Sequence, residues 1–124
     1  MLEPLSGYLL LAVRLREAPS TYSGAWNFGP PSGQVRTVLN VAQHMVANFG
    51  RGSVEIEKNN TQQHEANLLQ LNCDKAHQLL GWQPRWHVDQ TLTATAEWYK
   101  AVMDGADAAA TTRQQLHEYF PELT

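Results

Sequence analysis

The first segment of the chain has apolar residues at helical spacing on almost every side. Pro4 fits the first turn of a helix, where a missing backbone amide costs nothing, and Pro19 would end that helix. Leu10 and Val13 widen the apolar surface beyond the single stripe of an ordinary surface helix. We therefore expect a helix here that needs to be covered on more than one side.

The clearest helical pattern lies between Thr37 and Gly50. Thr37 is suited to cap the helix at its start, and Gly50 to end it in a left-handed conformation. One face of this predicted helix is apolar and carries Val38, Val41, Ala42, Met45, Val46 and Phe49. The spacing predicts a helix over residues 38–49.

Three further helices are predicted towards the C-terminus. Asn72 can cap a short helix that ends at Gly81, and an apolar face predicts a longer helix over residues 89–103. Thr112 and Gln115 have the spacing of a capping box, which predicts a last helix that stops at Pro121. The stretch from Ala106 to Thr111 is predicted to be a flexible connection.

Shorter apolar or alternating segments predict strands at residues 25–28, 53–57 and, more weakly, 67–71. The expected fold class is therefore α+β: mainly helical, with about five helices and two or three short strands. We expect residues 1–124 to form a single domain.

Composition narrows the possible partners. Of the 124 residues, 43% are hydrophobic and 17% are charged, as in an ordinary globular domain. The net charge is -3 with no basic block, so we expect no nucleic-acid partner. No apolar run approaches the roughly 20 residues of a membrane-spanning helix, and no signal sequence is evident. With the single cysteine Cys73, this predicts a cytoplasmic protein without membrane contact or an internal disulfide.

The usual chemical motifs are missing. The chain has no Gly-rich strand-to-helix turn, so we expect no NAD binding by this chain alone. His64 and Glu65 begin like a zinc-protease motif, but Leu68 stands at the second histidine position, so no metal is expected. Cys73 has no nearby base or second cysteine, which favours a buried thiol over a nucleophile. The pair His64–Glu65 is compatible with a ligand contact or with an ordinary surface.

Four stretches occur in an order and spacing that carry a family resemblance. They are LEPLSGYLLLA (2–12), GAWNFGP (24–30), HEANLLQL (64–71) and KAHQLLGWQPRW (75–86). Together they resemble the C-terminal part of the extended short-chain dehydrogenase/reductases, which are the NAD-dependent epimerases and dehydratases. Within that superfamily, Leu-Glu-Pro-Leu with His-Glu-Ala-Asn is most similar to the CDP-glucose 4,6-dehydratase family.

The resemblance implies a lyase reaction for the full-length family. Bound NAD takes a hydride from C4 of the sugar, water is lost across C5 and C6, and the hydride returns to C6. In the family, the cofactor loop, the Tyr-x-x-x-Lys pair and the acid/base residues all precede the first matching stretch. None is present in this chain. The resemblance therefore implies a chain without the Rossmann cofactor domain, with no catalytic residues and inactive alone.

The resemblance implies that this chain retains the part of the family's cleft that binds the nucleotide sugar. His64, Glu65 and Asn67 match the family segment expected near the nucleotide sugar, and Glu3 to Leu5 match the start of the helix after a substrate-lining loop. Arg85 is compatible with a diphosphate contact, because a guanidinium fork matches phosphate oxygens, or with an ordinary solvated surface arginine. A CDP-glucose-like nucleotide sugar is the implied ligand.

Two hypotheses follow. In the first, the chain is the nucleotide-sugar-binding portion of such a dehydratase and is inactive alone; a further possibility is that a separate chain supplies the cofactor-binding half and the two reassemble. In the second, it is a free-standing structural or interaction module derived from such a fragment. The apolar first helix predicts a homo-oligomer under either hypothesis.

Overall fold

A computed structural model describes residues 1–56 and 71–123 of the chain. Within these residues the regular structure is helical, and the α-helices are α1 (Leu2–Glu17), α2 (Pro19–Tyr22), α3 (Val38–Phe49), α4 (Val88–Met103) and α5 (Ala108–Tyr119). A π-helical turn spans Ala76–Leu80, and 3-10 turns span Ser32–Gln34 and Pro121–Leu123.

The predicted α+β class is wrong, because the described residues contain no strand. Residues 25–28 and 53–56 lie outside any sheet, while residues 57–70, which hold most of the third predicted strand, lie outside the described part. Side-chain hydrogen bonds, and not a strand ladder, link residues 25–28 to the segment that follows Leu71: Lys75 Nζ donates to Ala25 O at 3.0 Å, and Asn27 Nδ2 donates to Asn72 O at 3.2 Å. An apolar alternation forms a strand only when a partner backbone is available.

Local end signals fix α3 as predicted. Thr37 precedes the helix with an extended backbone, and its side-chain oxygen accepts a hydrogen bond from Asn40 N–H at 3.1 Å. Gly50 ends the helix with a φ of 70°, a left-handed conformation that glycine adopts without steric cost. Both ends depend on neighbouring residues alone, which is why the sequence predicts them correctly.

The other helices agree with the predictions in part. α1 ends at Glu17 ahead of Pro19, and the segment after Asn72 ends in the left-handed Gly81, as expected. α5, however, begins at Ala108, four residues before the capping box at Thr112. The carboxylate of Asp107 accepts a hydrogen bond from Ala110 N–H at 2.7 Å and so supplies an earlier cap.

The chain divides into two compact units. The first comprises residues 1–35, 71–88 and 116–124. Its core consists of Phe28, Ala76, Leu80 and Trp82, with the Phe28 and Trp82 rings edge to face at 5.0 Å. Gly7 of α1 is buried, and a Cβ there would overlap the Phe28 ring, so glycine permits this close approach.

The second unit comprises residues 36–70 and 89–115. Arg36 forms an ion pair with Asp89, with Nη2 2.9 Å from Oδ2, and a ring nitrogen of His44 lies 3.0 Å from Thr93 Oγ1. Gln115 Nε2 donates to Ala94 O at 2.6 Å, which joins α5 to α4 inside this unit. The single-domain arrangement stays a prediction.

None of the helices formed by the described residues combines the length and the apolar character that crossing a membrane requires.

Candidate functional site

The predicted site residues fall in two parts of the chain. His64, Glu65 and Asn67 lie outside the described residues. Arg85 lies in the first unit, in the segment between the π-helical turn and α4. The site is therefore described from Arg85 and its surroundings.

The carboxylate of Glu3, in the first turn of α1, is the centre of these surroundings. It accepts hydrogen bonds from two consecutive backbone amides, Arg85 N–H at 3.0 Å and Trp86 N–H at 2.8 Å. It also accepts one from the Tyr119 hydroxyl at 2.7 Å. Hydrogen bonds to an ionised carboxylate are stronger than those between neutral groups. Glu3 thus fixes the position of the backbone at Arg85 and Trp86.

Ser6 completes this arrangement one turn further along α1. Its hydroxyl donates to Glu3 O at 2.7 Å and accepts from the Trp82 indole N–H at 2.9 Å. The Tyr119 hydroxyl lies 3.1 Å from the same oxygen. We call Glu3, Ser6, Trp82, Arg85 and Tyr119 the Glu3–Tyr119 cluster. It ties the start of α1 to the end of α5 within the first unit.

Tyr119 is the most deeply buried polar member, with 1% of its surface exposed. Burial raises the pKa of Tyr119 to about 12, and the hydrogen bond to Glu3 acts in the same direction. The hydroxyl therefore stays protonated at neutral pH and serves as a donor. A general base needs a pKa near the working pH, so Tyr119 is unsuited to proton abstraction.

The guanidinium of Arg85 already has protein partners. It forms an ion pair with Glu122, donates to Tyr119 O at 3.2 Å, and lies 4.8 Å from the centre of the Phe120 ring. The hydrogen bond between the side chains of Arg85 and Glu122 raises the pKa of Arg85 and lowers the pKa of Glu122. Since 43% of the Arg85 side chain is exposed, solvent reaches it. A diphosphate at Arg85 would compete with the Glu122 carboxylate. The role of Arg85 in substrate binding stays a prediction.

Sequence reasoning missed most of this cluster. Tyr119 lies in the predicted last helix, but its link to Glu3 joins residues 116 positions apart, and no local sequence pattern indicates such a pair. The one sequence feature that could have drawn attention to the cluster is Glu3 itself, a carboxylate in the first turn of a helix, where the helix dipole favours negative charge.

Cys73 and Lys75 lie outside the Glu3–Tyr119 cluster and make contacts that suit a structural role. Cys73 is 6% exposed and its sulfur lies 3.9 Å from Gly29 O, which fits the buried thiol favoured by the sequence. Lys75 Nζ lies 4.1 Å from the centre of the Trp26 ring, in a cation–π contact. Among the described residues, no three histidine, cysteine, aspartate or glutamate side chains come together as a metal site requires.

The outer side of α1 carries a row of exposed apolar side chains. We define the α1 stripe as Met1, Leu5, Tyr8, Leu9 and Val13, of which 82%, 43%, 55%, 64% and 47% are exposed, respectively. No charged residue occurs between Pro4 and Val13. Leu10 and Leu11, from the inner side of the same helix, pack against the core of the first unit.

Comparison with known proteins supplies the remaining evidence. No protein-family model matches the chain. All 124 residues align, at 36% identity, with the C-terminal part of CDP-glucose 4,6-dehydratase from Salmonella typhimurium (strain LT2), and this alignment covers 34% of that protein. The resemblance predicted from the four sequence stretches is thus confirmed, and the chain spans about a third of the length of this relative.

Proposed function

We propose that this chain, being similar over its whole length to the C-terminal part of CDP-glucose 4,6-dehydratase, is the nucleotide-sugar-binding portion of a protein of that kind. The observation that carries the proposal is the alignment, which includes every residue of the chain at 36% identity. The chain acts together with a cofactor-binding half and has no dehydratase activity alone.

In this proposal His64, Glu65 and Asn67 contact the nucleotide sugar, and Arg85 contacts its diphosphate. The Glu3–Tyr119 cluster supports the role of Arg85, because Glu3 holds the amides of Arg85 and Trp86 in place. The Arg85–Glu122 ion pair is open to solvent, and exposed ion pairs contribute little to stability. A diphosphate can therefore displace Glu122 from the guanidinium at small cost.

The proposed inactivity of the isolated chain rests on its tyrosines. A Tyr-x-x-x-Lys pair requires lysine four positions after a tyrosine, whereas Tyr8, Tyr22, Tyr99 and Tyr119 are followed there by Ala12, Trp26, Met103 and Leu123. The raised pKa of Tyr119 is also the opposite of what proton abstraction near neutral pH needs. NAD and the acid/base groups would come from the cofactor-binding half.

A thermal-shift measurement tests ligand binding. A ligand that binds the folded state raises its stability, by about 2.7 kcal/mol when present at a hundred times its Kd. We expect millimolar CDP-glucose to raise the melting temperature more than UDP-glucose does, and the double substitution His64→Ala/Asn67→Ala to abolish the rise. His117→Ala, at an exposed histidine of α5, is the matched control. The absence of any shift with CDP-glucose would overturn the proposal.

The α1 stripe favours a second candidate function, a free-standing oligomeric module. Contiguous exposed apolar surface of this kind marks interaction sites in soluble proteins. This alternative predicts a defined oligomer with a multiple of the 13.9 kDa chain mass by light scattering, and no response to nucleotide sugars. A monomer at micromolar concentration would exclude it.

A further inference from the structure

We propose that Phe120 is a positioning residue for phosphate binding, because its ring holds the Arg85 guanidinium in the orientation that binds a diphosphate. This inference rests on the proposed function and deepens it, since it names a residue that prepares one of the proposed ligand contacts. Phe120 lies between α5 and the last 3-10 turn, within the first unit. It belongs neither to the sequence-predicted site nor to the Glu3–Tyr119 cluster.

The Arg85 residue is held at both of its ends. Its backbone amide donates to the Glu3 carboxylate at 3.0 Å, and its Nη1 donates to Tyr119 O at 3.2 Å. The central carbon of the guanidinium lies 4.8 Å from the centre of the Phe120 ring. A guanidinium over an aromatic face is attracted to the ring electrostatically. None of these contacts involves Glu122, so they can persist when the Glu122 carboxylate is displaced.

Phe120 is itself fixed in place, as a support must be. Its backbone amide donates to Leu116 O at 2.8 Å. Its ring packs edge to face against the ring of Tyr119, with 4.6 Å between the ring centres, and Tyr119 is 1% exposed. The Phe120 ring therefore has a defined position against a buried neighbour and can serve as a rigid support for the guanidinium.

The Arg85–Glu122 ion pair shows which side of the guanidinium is directed towards an anion. Nη1 donates to Glu122 Oε2 at 3.0 Å, and Nη2 donates to Oε1 of the same carboxylate. Two parallel bonds of this kind are the geometry in which arginine binds a carboxylate or a phosphate. The Arg85 and Glu122 side chains are 43% and 52% exposed, so a dissolved anion can reach them. The Glu122 carboxylate thus occupies the position that two phosphate oxygens would take.

A positioned guanidinium should bind a phosphate more tightly than a free one. Ordering a long side chain costs conformational entropy when a ligand binds, and contacts that order it beforehand reduce this cost. Without the Phe120 ring, the guanidinium would lose one of the contacts that keep it in place after Glu122 is displaced. Phe120 therefore raises the affinity through Arg85 and does not touch the ligand.

The test is titration calorimetry of the full 124-residue chain with inorganic pyrophosphate, at low ionic strength, where charges are weakly screened. Phe120→Leu removes the aromatic face and should raise the Kd for pyrophosphate by about two- to fivefold, the usual range for an exposed cation–π contact. Phe120→Tyr keeps an aromatic face and should retain the original Kd. Arg85→Gln should weaken binding more than Phe120→Leu does.

A double substitution separates positioning from a general loss of structure. In the Arg85→Gln chain, adding Phe120→Leu should change the Kd no further, because the ring acts through the guanidinium. Phe49→Leu is the matched control, since it makes the same change at a partly buried phenylalanine of α3 in the second unit. Melting temperatures confirm that each variant is folded. If Phe120→Leu unfolds the chain, Phe120→Met, which also lacks the ring, takes its place.

Four results would overturn the proposal: no pyrophosphate binding by the original chain, equal binding by Arg85→Gln, an unchanged Kd in Phe120→Leu, or the same loss from Phe120→Leu with and without Arg85. The proposed function is tested separately by the thermal shift with CDP-glucose. A shift with CDP-glucose beside an unchanged pyrophosphate Kd in Phe120→Leu would overturn this inference and leave the proposed function standing. The reverse result would overturn the proposed function alone.

Discussion

The hydroxyl of Tyr119 donates a hydrogen bond of 2.7 Å to the carboxylate of Glu3, 116 positions earlier in the chain. The same carboxylate also accepts hydrogen bonds from the backbone amides of Arg85 and Trp86. One glutamate therefore holds three separate stretches of the first unit together, and the segment with the candidate diphosphate contact depends on it.

Removal of the Tyr119 hydroxyl should destabilise the fold. Tyr119→Phe keeps the ring but removes the donor to Glu3, and a hydrogen bond to a charged group contributes about 1.5–3 kcal/mol. We expect the free energy of unfolding, measured by urea denaturation, to fall by about that amount. Tyr99→Phe, at a tyrosine that is 53% exposed, is the control and should change little. Equal stability of the two variants would contradict the importance of the cluster.

The chain should lose stability in alkaline solution through the same residue. The pKa of Tyr119 is raised to about 12 by burial, above the unfolded value of about 10, so its contribution is fully present below pH 10. As the pH rises from 10 towards 12, stability should fall by up to about 1.4 kcal/mol per pH unit.

The measurement is the free energy of unfolding between pH 9 and pH 11, for the original chain and for Tyr119→Phe. The variant lacks the titrating group and should show the shallower decline. Parallel curves would show that Tyr119 does not titrate with a raised pKa.

Gly7→Ala should destabilise the first unit although alanine is the better helix former. The added Cβ would overlap the Phe28 ring, and overpacking of this kind costs about 1–3 kcal/mol, more than the helix propensity gained. Gly33→Ala is the control, because a Cβ there meets nothing within 4 Å. A thermal melt compares them, and an unchanged or raised melting temperature for Gly7→Ala would show that the ring moves aside freely.

Glu122→Gln should strengthen nucleotide binding if Arg85 contacts the diphosphate. The substitution removes the charge that competes for the guanidinium, so we expect titration calorimetry to give a lower Kd for CDP, by up to about fivefold. Glu118→Gln, at an exposed glutamate of α5, removes the same charge elsewhere and should have a smaller effect. Unchanged affinity in Glu122→Gln would remove Arg85 from the proposed site.

The sequence predicts those features that depend on near neighbours. Thr37 and Gly50 bound α3 through a side-chain cap and a left-handed glycine, both of which act within one helical turn. The start of α5 shows how such signals compete: Asp107 caps the helix ahead of the capping box at Thr112. Two valid local patterns stood close together, and the earlier one prevailed.

The wrongly predicted strands and the Glu3–Tyr119 cluster depend on residues that are distant in the sequence. Residues 25–28 have a strand-like composition, but a strand also needs a neighbouring backbone, and the partner of the Ala25 carbonyl here is the Lys75 side chain. Glu3 and Tyr119 each look ordinary in their own segments, and folding alone brings them together. Whether His64 to Asn67 approach a ligand stays a prediction, since these residues lie outside the described part.

The link between Glu3 and Tyr119 also has a consequence for synthesis on the ribosome. Tyr119 is added 116 residues after Glu3, an interval on the order of ten seconds at ordinary translation rates. During that interval the start of α1 lacks the contact that fixes it, and the α1 stripe beside it is open to whatever polypeptide is nearby. The contact between Glu3 and Tyr119 can form only after Tyr119 has been translated.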